Sequence, residues 1–401
     1  MKKNTLVLIY NSFGDPLFQN LILSYLKTLS EKTDVDFHLV TFEQPQYHLD
    51  EEQRSKWNSE LMKNRIYWHP LTFHTGRFLL LKKLWDFISA FFLIIYLRIH
   101  FKLNYIFCFA NVSASIGIII AKILRMKTII YSYEPHSEFQ VELGLWTKSS
   151  LKFKLLNKLE NYAGIHSDFI LTGTKYMVER LISNGSRAKL FRAPTAVDST
   201  KYYFDQVERN QVRKELDLDG KTVFIYLGKF GGLYYSVEIP KFLSNLEKLI
   251  PSCFFLILTP QDKELINEMF LKYVNKNQFM VSHALDHIQV RSYLAAADFA
   301  LSAIPPSPAQ KYRSPTKVAE YLLCGLPFIT TAGVSEDDIY AEEYNVGVVV
   351  QDFETLSASS LNNLQDLLLE PKEILRKRCR QVGSKYRSKQ RIDDILLQIY
   401  S

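Results

Sequence analysis

Lys317 and Glu320 stand three residues apart in Ser314-Pro315-Thr316-Lys317-Val318-Ala319-Glu320, so a helix would put both on one face. Ser314 followed by Pro315 reads as a helix start, with a capping hydroxyl and a proline at the first helical position. Gly325 and Pro327 then end the helix. The N–H groups of its first turn after Pro315, at Thr316 and Lys317, and the helix dipole would favour a phosphate there, and Lys317 adds a full positive charge. Lys317 can meet a diphosphate while Glu320 accepts hydrogen bonds from sugar hydroxyls. The same spacing also suits a surface ion pair, which contributes little.

Three further stretches could contribute. In TVFIYLGKFGGLYYSVEIP a strand runs into Gly228, Lys229, Gly231 and Gly232. A glycine pair lets backbone approach a phosphate closely, or simply makes a turn. In NSFGDPLFQN, Gly14 gives a turn and Asp15-Pro16 opens a helix, with Asp15 equally readable as an N-cap. In YSYEPHSEF, Glu134 and His136 should emerge at the carboxyl end of a strand over Thr128–Tyr133, with Glu138 as a weaker second carboxylate. A histidine there can orient a substrate or move a proton, although a lone histidine is commonly structural. No Asp-x-Asp-like metal site stands out near a strand end, and there is no His/Cys cluster and no G-x-S-x-G motif.

The elements that must position these residues alternate. Expected strands are Thr5–Tyr10, Phe37–Phe42, Tyr105–Phe109, Thr128–Tyr133 and Asp168–Thr172, with helices starting near Pro16, Glu51, Gly76, Ser113 and Ser149. The pattern restarts after a polar stretch around Asp198–Asn210, with strands Thr222–Leu227, Cys253–Leu258, Phe279–Val281, Asp298–Ala303, Phe328–Thr331 and Gly347–Val350. This βα alternation predicts α/β architecture: two doubly wound, Rossmann-like domains facing across a cleft, with ligands at the carboxyl ends of the strands. Their expected bounds are 1–200 and 201–385, followed by a C-terminal segment, 386–401. The 401 residues, 47% of them hydrophobic, suit two cores better than one. The four cysteines, Cys108, Cys253, Cys324 and Cys379, lie far apart and read as free thiols in a reducing compartment. The N-terminal apolar run is too short for a signal peptide and reads as a first strand.

Charge is uneven. Formal net charge is +7, yet Lys372 to Arg391 alone carries nine Lys or Arg and one Glu. Such a stretch could meet nucleic acid, a membrane or an anionic substrate, or form a solvated helix face; no nucleic-acid motif accompanies it. Between Gly76 and Lys102, the apolar run Phe87–Leu97 is flanked by Arg77, Lys82, Lys83, Arg98 and Lys102. At eleven residues it is too short to cross a bilayer, which needs about 20. It suits a helix lying in a membrane interface, a buried core helix, or both.

The stretch around Glu320 resembles the donor-site signature of the family-4 glycosyltransferases, retaining enzymes of the GT-B architecture. Glu320, Gly325 and Pro327 match its second half, where the family's glutamate contacts the donor ribose. The signature's first glutamate, eight positions earlier, is replaced by Tyr312. Val290–Pro308, His166–Gly185 and Pro194–Phe204 resemble neighbouring parts of the family, with Asp198 at its hinge. Lys229 takes the place of the family's diphosphate-binding arginine. The family's nearby lysine falls on Tyr234 or Tyr235, and Lys317 is the candidate to replace that charge. The resemblance also implies a donor or acceptor loop at Gly14 and Asp15, a sugar-positioning His136, and a final helix returning to the first domain.

The implied function is retaining transfer of a sugar from a nucleoside diphosphate sugar to a glycan or lipid-linked glycan in cell-surface polysaccharide synthesis. It would proceed in the cytoplasm at the inner face of the membrane, without a metal, a cofactor or nucleic acid. The alternatives are a sugar-nucleotide epimerase on the same fold and a non-catalytic subunit of a glycan-assembly complex.

Overall fold

The computed structural model describes residues 3–16, 18–132, 134–283 and 286–401. The chain divides into two compact units, Met1–Ala193 with Ile392–Ser401, and Pro194–Arg391.

The first unit is built on seven parallel strands: β1 (Lys3–Ile9), β2 (Val35–Glu43), β3 (Ile66–Thr72), β4 (Tyr105–Phe109), β5 (Lys127–Ser132), β6 (Phe169–Thr172) and β7 (Lys189–Arg192). Their order is β3-β2-β1-β4-β5-β6-β7. Chain order therefore reverses direction between β1 and β4, and crevices that take ligands form at the carboxyl ends of such a pair. Leu6, Val7 and Leu8 on β1 and Ile106 and Phe107 on β4 are all buried, as expected of central strands covered on both faces. Gly117 lets the helix Ala110–Leu124 lie close on the sheet, because a Cβ there would come within 2.2 Å of Cys108 Sγ.

The second unit repeats the plan with six parallel strands: β8 (Thr222–Leu227), β9 (Cys253–Leu258), β10 (Phe279–Ser282), β11 (Phe299–Ser302), β12 (Phe328–Thr331) and β13 (Gly347–Val350). The order is β10-β9-β8-β11-β12-β13, so the reversal falls between β8 and β11. Val223 to Tyr226 and Phe255 to Ile257 are fully buried and form the centre of one continuous core. Across both units the four cysteines are buried and free.

Two strands escape the sequence reading. β3 contains Pro70, which has no N–H for a ladder and is tolerated because β3 is a sheet edge. β7 is four residues long and forms the other edge. Tyr133, the expected end of β5, lies outside the described residues. His136 is not in a loop. It opens a helix, His136–Glu142, with Pro135 at the cap. The helix expected near Pro16 is a π-turn, Phe18–Ile22, leading into Leu23–Lys32.

The apolar segment of the first unit differs most from expectation. Its helix runs Leu79–Phe101, and Leu81–Phe101 has a mean hydropathy of 1.6, so by length and composition it could cross a membrane. Of the flanking cations, Lys82, Lys83 and Arg98 lie within the helix rather than ending it, which is why the eleven-residue run understated its length. Ala90, Ile94 and Leu97 are fully buried on one face, while Leu81, Leu84, Trp85, Phe92, Tyr96 and Ile99 are exposed. Only 22% of the most apolar window is buried, so much of its apolar surface is bare.

Candidate functional site

In the second unit, the turn after β8 sits at the reversal point of the sheet. Gly228 has φ +149°, and its N–H donates to the Leu258 carbonyl at 2.9 Å. The Tyr226 hydroxyl donates to the Lys229 carbonyl. Phe230 N donates to Gln261 Oε1 at 2.5 Å, and Gln261 Nε2 returns a bond to the Phe230 carbonyl at 3.3 Å. These bonds hold the turn in place. Gly231 and Gly232 have φ +80° and +66°, and a Cβ at either would meet open space. Glycine is needed there for backbone conformation rather than for room. Lys229 is exposed.

The helix carrying Lys317 runs Thr316–Leu323. Ser314 is not its cap: Pro315 stands at that position and makes no side-chain cap bond. The Ser314 hydroxyl instead accepts from Thr195 N at 2.9 Å and from Arg387 Nη1 at 2.6 Å. Arg387 also donates to the Pro315 carbonyl, so a buried guanidinium fixes the entry to the helix. Its only sequence signal was membership of the basic run. Thr316 is exposed. From the other side, Tyr321 donates to the Leu301 carbonyl of β11 at 3.1 Å. Gly383, on the helix Lys372–Tyr386, allows close packing, since its Cβ would lie 3.0 Å from Leu322 Cβ.

Lys317 is 8% exposed. A Cβ on Gly228 would lie 3.1 Å from its Nζ, which places the ammonium directly at the β8 turn. The nitrogen stands 4.4 Å from the centre of the Tyr234 ring and 5.1 Å from that of Tyr226, and it has no hydrogen-bond partner. Burial pushes its pKa down to about 7, helped by the charge of Arg313 and opposed by that of Glu320. Ring faces attract a cation but do not accept three N–H bonds, and a buried donor left this way calls for an explanation.

Glu320 is pushed up to about 7 by burial, an effect moderated by a hydrogen bond from Tyr202 and by Lys317. Tyr202 is a site residue that the sequence reading missed; a tyrosine pair in a polar linker carries no motif. Tyr312, which replaces the expected carboxylate, is 9% exposed in the short turn Gln310–Tyr312. The structure thus brings together Gly228, Lys317 and Glu320 with Tyr226, Tyr234 and Tyr202.

In the first unit, the turn after β1 is of another kind. Phe13 N donates to Glu43 Oε1 at 3.1 Å, and Asp15 N donates to the Ser12 carbonyl at 3.2 Å. Ser12 Oγ donates to the Phe42 carbonyl and accepts from Gln44 N. Asp15 accepts from Asn11 Nδ2 at 2.9 Å. Gly14 fits because the Tyr47 carbonyl would lie 3.1 Å from its Cβ.

At the end of β5, His136 lies 3.2 Å through Nε2 from Gln140 Nε2 and edge-on to Trp146. Burial lowers its pKa and the nearby charge of Glu134 opposes this, so the ring is held towards its neutral form. The Glu134 carbonyl accepts from Asn111 Nδ2. Glu138 is engaged in a bidentate pair with Arg180, at 2.8 and 2.5 Å. Glu160, which no motif marked, accepts from Ser137 N and Oγ, and burial pushes it up to about 7.

No family model and no curated protein matches the sequence. Solved structures match over nearly the whole chain. Sucrose-phosphate synthase from Thermosynechococcus elongatus is 16% identical with a TM-score of 0.71, covering 99% of this chain and 98% of that one. HepE from Anabaena, in complex with UDP, is 11% identical with a TM-score of 0.71 and 99% coverage of both chains. WaaG, a glycosyltransferase involved in lipopolysaccharide biosynthesis, is 13% identical with a TM-score of 0.63, covering 98% and 99%. A putative UDP-N-acetylglucosamine 2-epimerase from Listeria monocytogenes shares the architecture at a TM-score of 0.55, 10% identity and coverage of 95% and 91%. With its two parallel sheets and these neighbours, the chain has the GT-B fold.

Proposed function

We propose that this chain is a retaining glycosyltransferase that moves a sugar from a nucleoside diphosphate sugar to a glycan or lipid-linked glycan acceptor. The observation that carries the proposal is the buried Lys317 ammonium, which lacks a hydrogen-bond partner at the Gly228 turn. An anion arriving there gains a charge-assisted bond and relieves an uncompensated buried charge. UDP, which HepE binds, is an anion of the required kind.

The donor diphosphate would lie between Lys317, the Gly231-Gly232 backbone and the first turn of the Thr316–Leu323 helix, with Lys229 at its exposed side. Glu320 would hold the ribose hydroxyls. As the bond from the anomeric carbon to the diphosphate breaks, charge grows on the leaving oxygen, and Lys317 stabilises it; such preorganised electrostatics is often the largest catalytic contribution. The acceptor oxygen forms the new bond to the anomeric carbon, and its proton passes to the departing diphosphate oxygen. His136, held towards its neutral form, would orient the sugar and acceptor together with Glu134. The loop at Gly14 and Asp15 has its Phe13 and Asp15 N–H groups already engaged, which favours an acceptor edge over a phosphate cradle. Lysine and helix charge take the place of a divalent ion, so turnover should survive EDTA.

The exposed apolar side of Leu79–Phe101, with Lys82, Arg98 and the neighbouring Arg77 and Lys102, suits the cytoplasmic surface of an anionic membrane. Each cation near such a surface contributes about 1 kcal/mol.

A thermal-shift screen over UDP-, GDP- and ADP-sugars tests the reading. One donor should stabilise the chain, and Lys317→Ala should remove that stabilisation. An unchanged shift in the variant would sink the diphosphate site. The Listeria neighbour keeps an epimerase in view, and an isomerised nucleotide sugar formed without acceptor would establish it. Buried Tyr312 in place of a carboxylate keeps a non-catalytic subunit in view, the outcome if no donor binds.

A further inference from the structure

We propose that the second unit carries a second anion site, a groove beside the amino ends of β8 and β11 that takes the phosphate group of a ligand. This inference stands independently of the donor reading.

The open groove has a volume of ≈ 810 Å³, within the range of small-molecule sites, and the cations Arg209, Lys372, Arg376, Lys377 and Arg380 line it with Phe204 and a single carboxylate, Glu373. Its place in the fold follows from its anchors. Arg209 Nη1 donates to the carbonyls of Ala295, Ala296 and Ala297 at 2.9, 2.9 and 2.8 Å, and Arg376 Nη2 donates to that of Ala297 at 3.0 Å. These carbonyls directly precede β11, whereas the Gly228 turn follows β8, which runs parallel to it. The two sites are therefore separated by the length of a strand of about five residues, on the order of 16 Å.

The charges there do not balance. Asp298 is the buried carboxylate of the cluster, and three cations share it: Arg209 at 2.8 Å, Lys372 at 2.6 Å and Arg213 at 3.4 Å. Arg376 is a fourth cation in the same surroundings. It is 8% exposed, its guanidinium lies 4.1 Å from the centre of the Phe204 ring, and its Nη1 has no hydrogen-bond partner. Burial and the neighbouring Arg209 push its pKa down to about 10, as expected for a guanidinium short of counter-charge. A solvated basic helix would leave its cations in water, but Arg209, on the helix Gln206–Glu215, and Arg376, on the basic helix Lys372–Tyr386, are each under a tenth exposed. Lys377 and Arg380 are exposed on the same helix and extend the positive field to the surface. A guanidinium with one unpartnered nitrogen, seated on an aromatic ring with lysines nearby, can give a phosphate oxygen a charge-assisted hydrogen bond.

A phosphate group could come from a soluble phosphorylated compound or from an anionic lipid headgroup. The experiment separates these sources. Inorganic pyrophosphate is titrated calorimetrically into the full chain bearing Lys317→Ala, which disables the other anion site. In parallel, the chain is sedimented with vesicles of phosphatidylglycerol or phosphatidylcholine. The double variant Lys377→Gln/Arg380→Gln replaces only exposed side chains, and circular dichroism checks its fold. Pyrophosphate binding that weakens by about tenfold or more in the double variant, with unchanged sedimentation, supports the site with a soluble ligand; loss of two charge-assisted contacts is of that size. Sedimentation with phosphatidylglycerol alone that falls by a similar factor in the double variant supports it with a lipid ligand. Binding of both probes that the double variant leaves unchanged, or binding of neither, overturns the proposal. Arg376→Lys provides a further check. It keeps the charge but loses the planar fork, and should still weaken pyrophosphate binding severalfold.

Discussion

The turn after β1 and the turn after β8 occupy the same topological position in two sheets of the same plan, and they are prepared for opposite partners. After β1, the Phe13 N–H is taken by Glu43, and Asp15 brings a second carboxylate. After β8, two glycines leave open space and a buried ammonium waits without an acceptor. Topology fixes where a ligand can sit. The charge at each turn decides which ligand it is. Under the proposed function, the diphosphate belongs to the second turn and a hydroxyl-bearing acceptor to the first.

The comparison can be broken most directly at Lys317. Lys317→Met should lower affinity for the identified donor by roughly 10- to 150-fold, the equivalent of about 1.5–3 kcal/mol for a hydrogen bond to a charged group. Its melting temperature should hold or rise, because an uncompensated buried charge is replaced by an apolar chain of similar length. Calorimetry and a thermal melt read both quantities; retained affinity in a less stable variant would reverse the argument.

Gly228→Ala comes next. Its methyl would stand 3.1 Å from Lys317 Nζ at a φ that side chains rarely adopt, and denaturant unfolding should show a loss of about 2 kcal/mol. A smaller effect is expected from pH. Burial holds free Lys317 near 7, well below its usual 10.5, whereas a bound diphosphate restores the proton. Above pH 7 binding must therefore take up a proton, and affinity should fall by up to about tenfold per pH unit. The Lys317→Met variant should show a flatter profile; an equal slope in both proteins would assign the effect elsewhere. The smallest effect belongs to the other turn. Glu43→Gln should cost about 1 kcal/mol of stability and leave donor affinity unchanged.

The strand pattern was largely readable in the sequence because central parallel strands are nearly continuous apolar runs, as in TVFIYL and CFFLIL. Edges were not. β3 hid behind Pro70, and β7 was too short to show a period. At the turn after β8, the residues Gly228, Lys317 and Glu320 stood out in the sequence by type and spacing, and the structure brings them together. What spacing cannot carry is burial. Lys317 reads as an ordinary helix cation, and only the fold puts Tyr226 and Tyr234 around it. Ser314 looked like a cap because local propensity favours that role, but the buried Arg387, 73 residues on, claims its hydroxyl. Tyr202 and Glu160 met their partners only through tertiary packing.

The four sealed cysteines have a practical consequence. Cys108 lies in the first unit, and Cys253, Cys324 and Cys379 lie in the second. Burial raises every one of these thiols, Cys253 and Cys379 to about 12, so the native chain offers almost no thiolate to an alkylating reagent. Maleimide uptake therefore clocks transient opening, and peptide mapping by mass spectrometry separates one adduct from three. The molecule carries its own pair of stopwatches, with which the breathing of each half can be timed without inserting any probe.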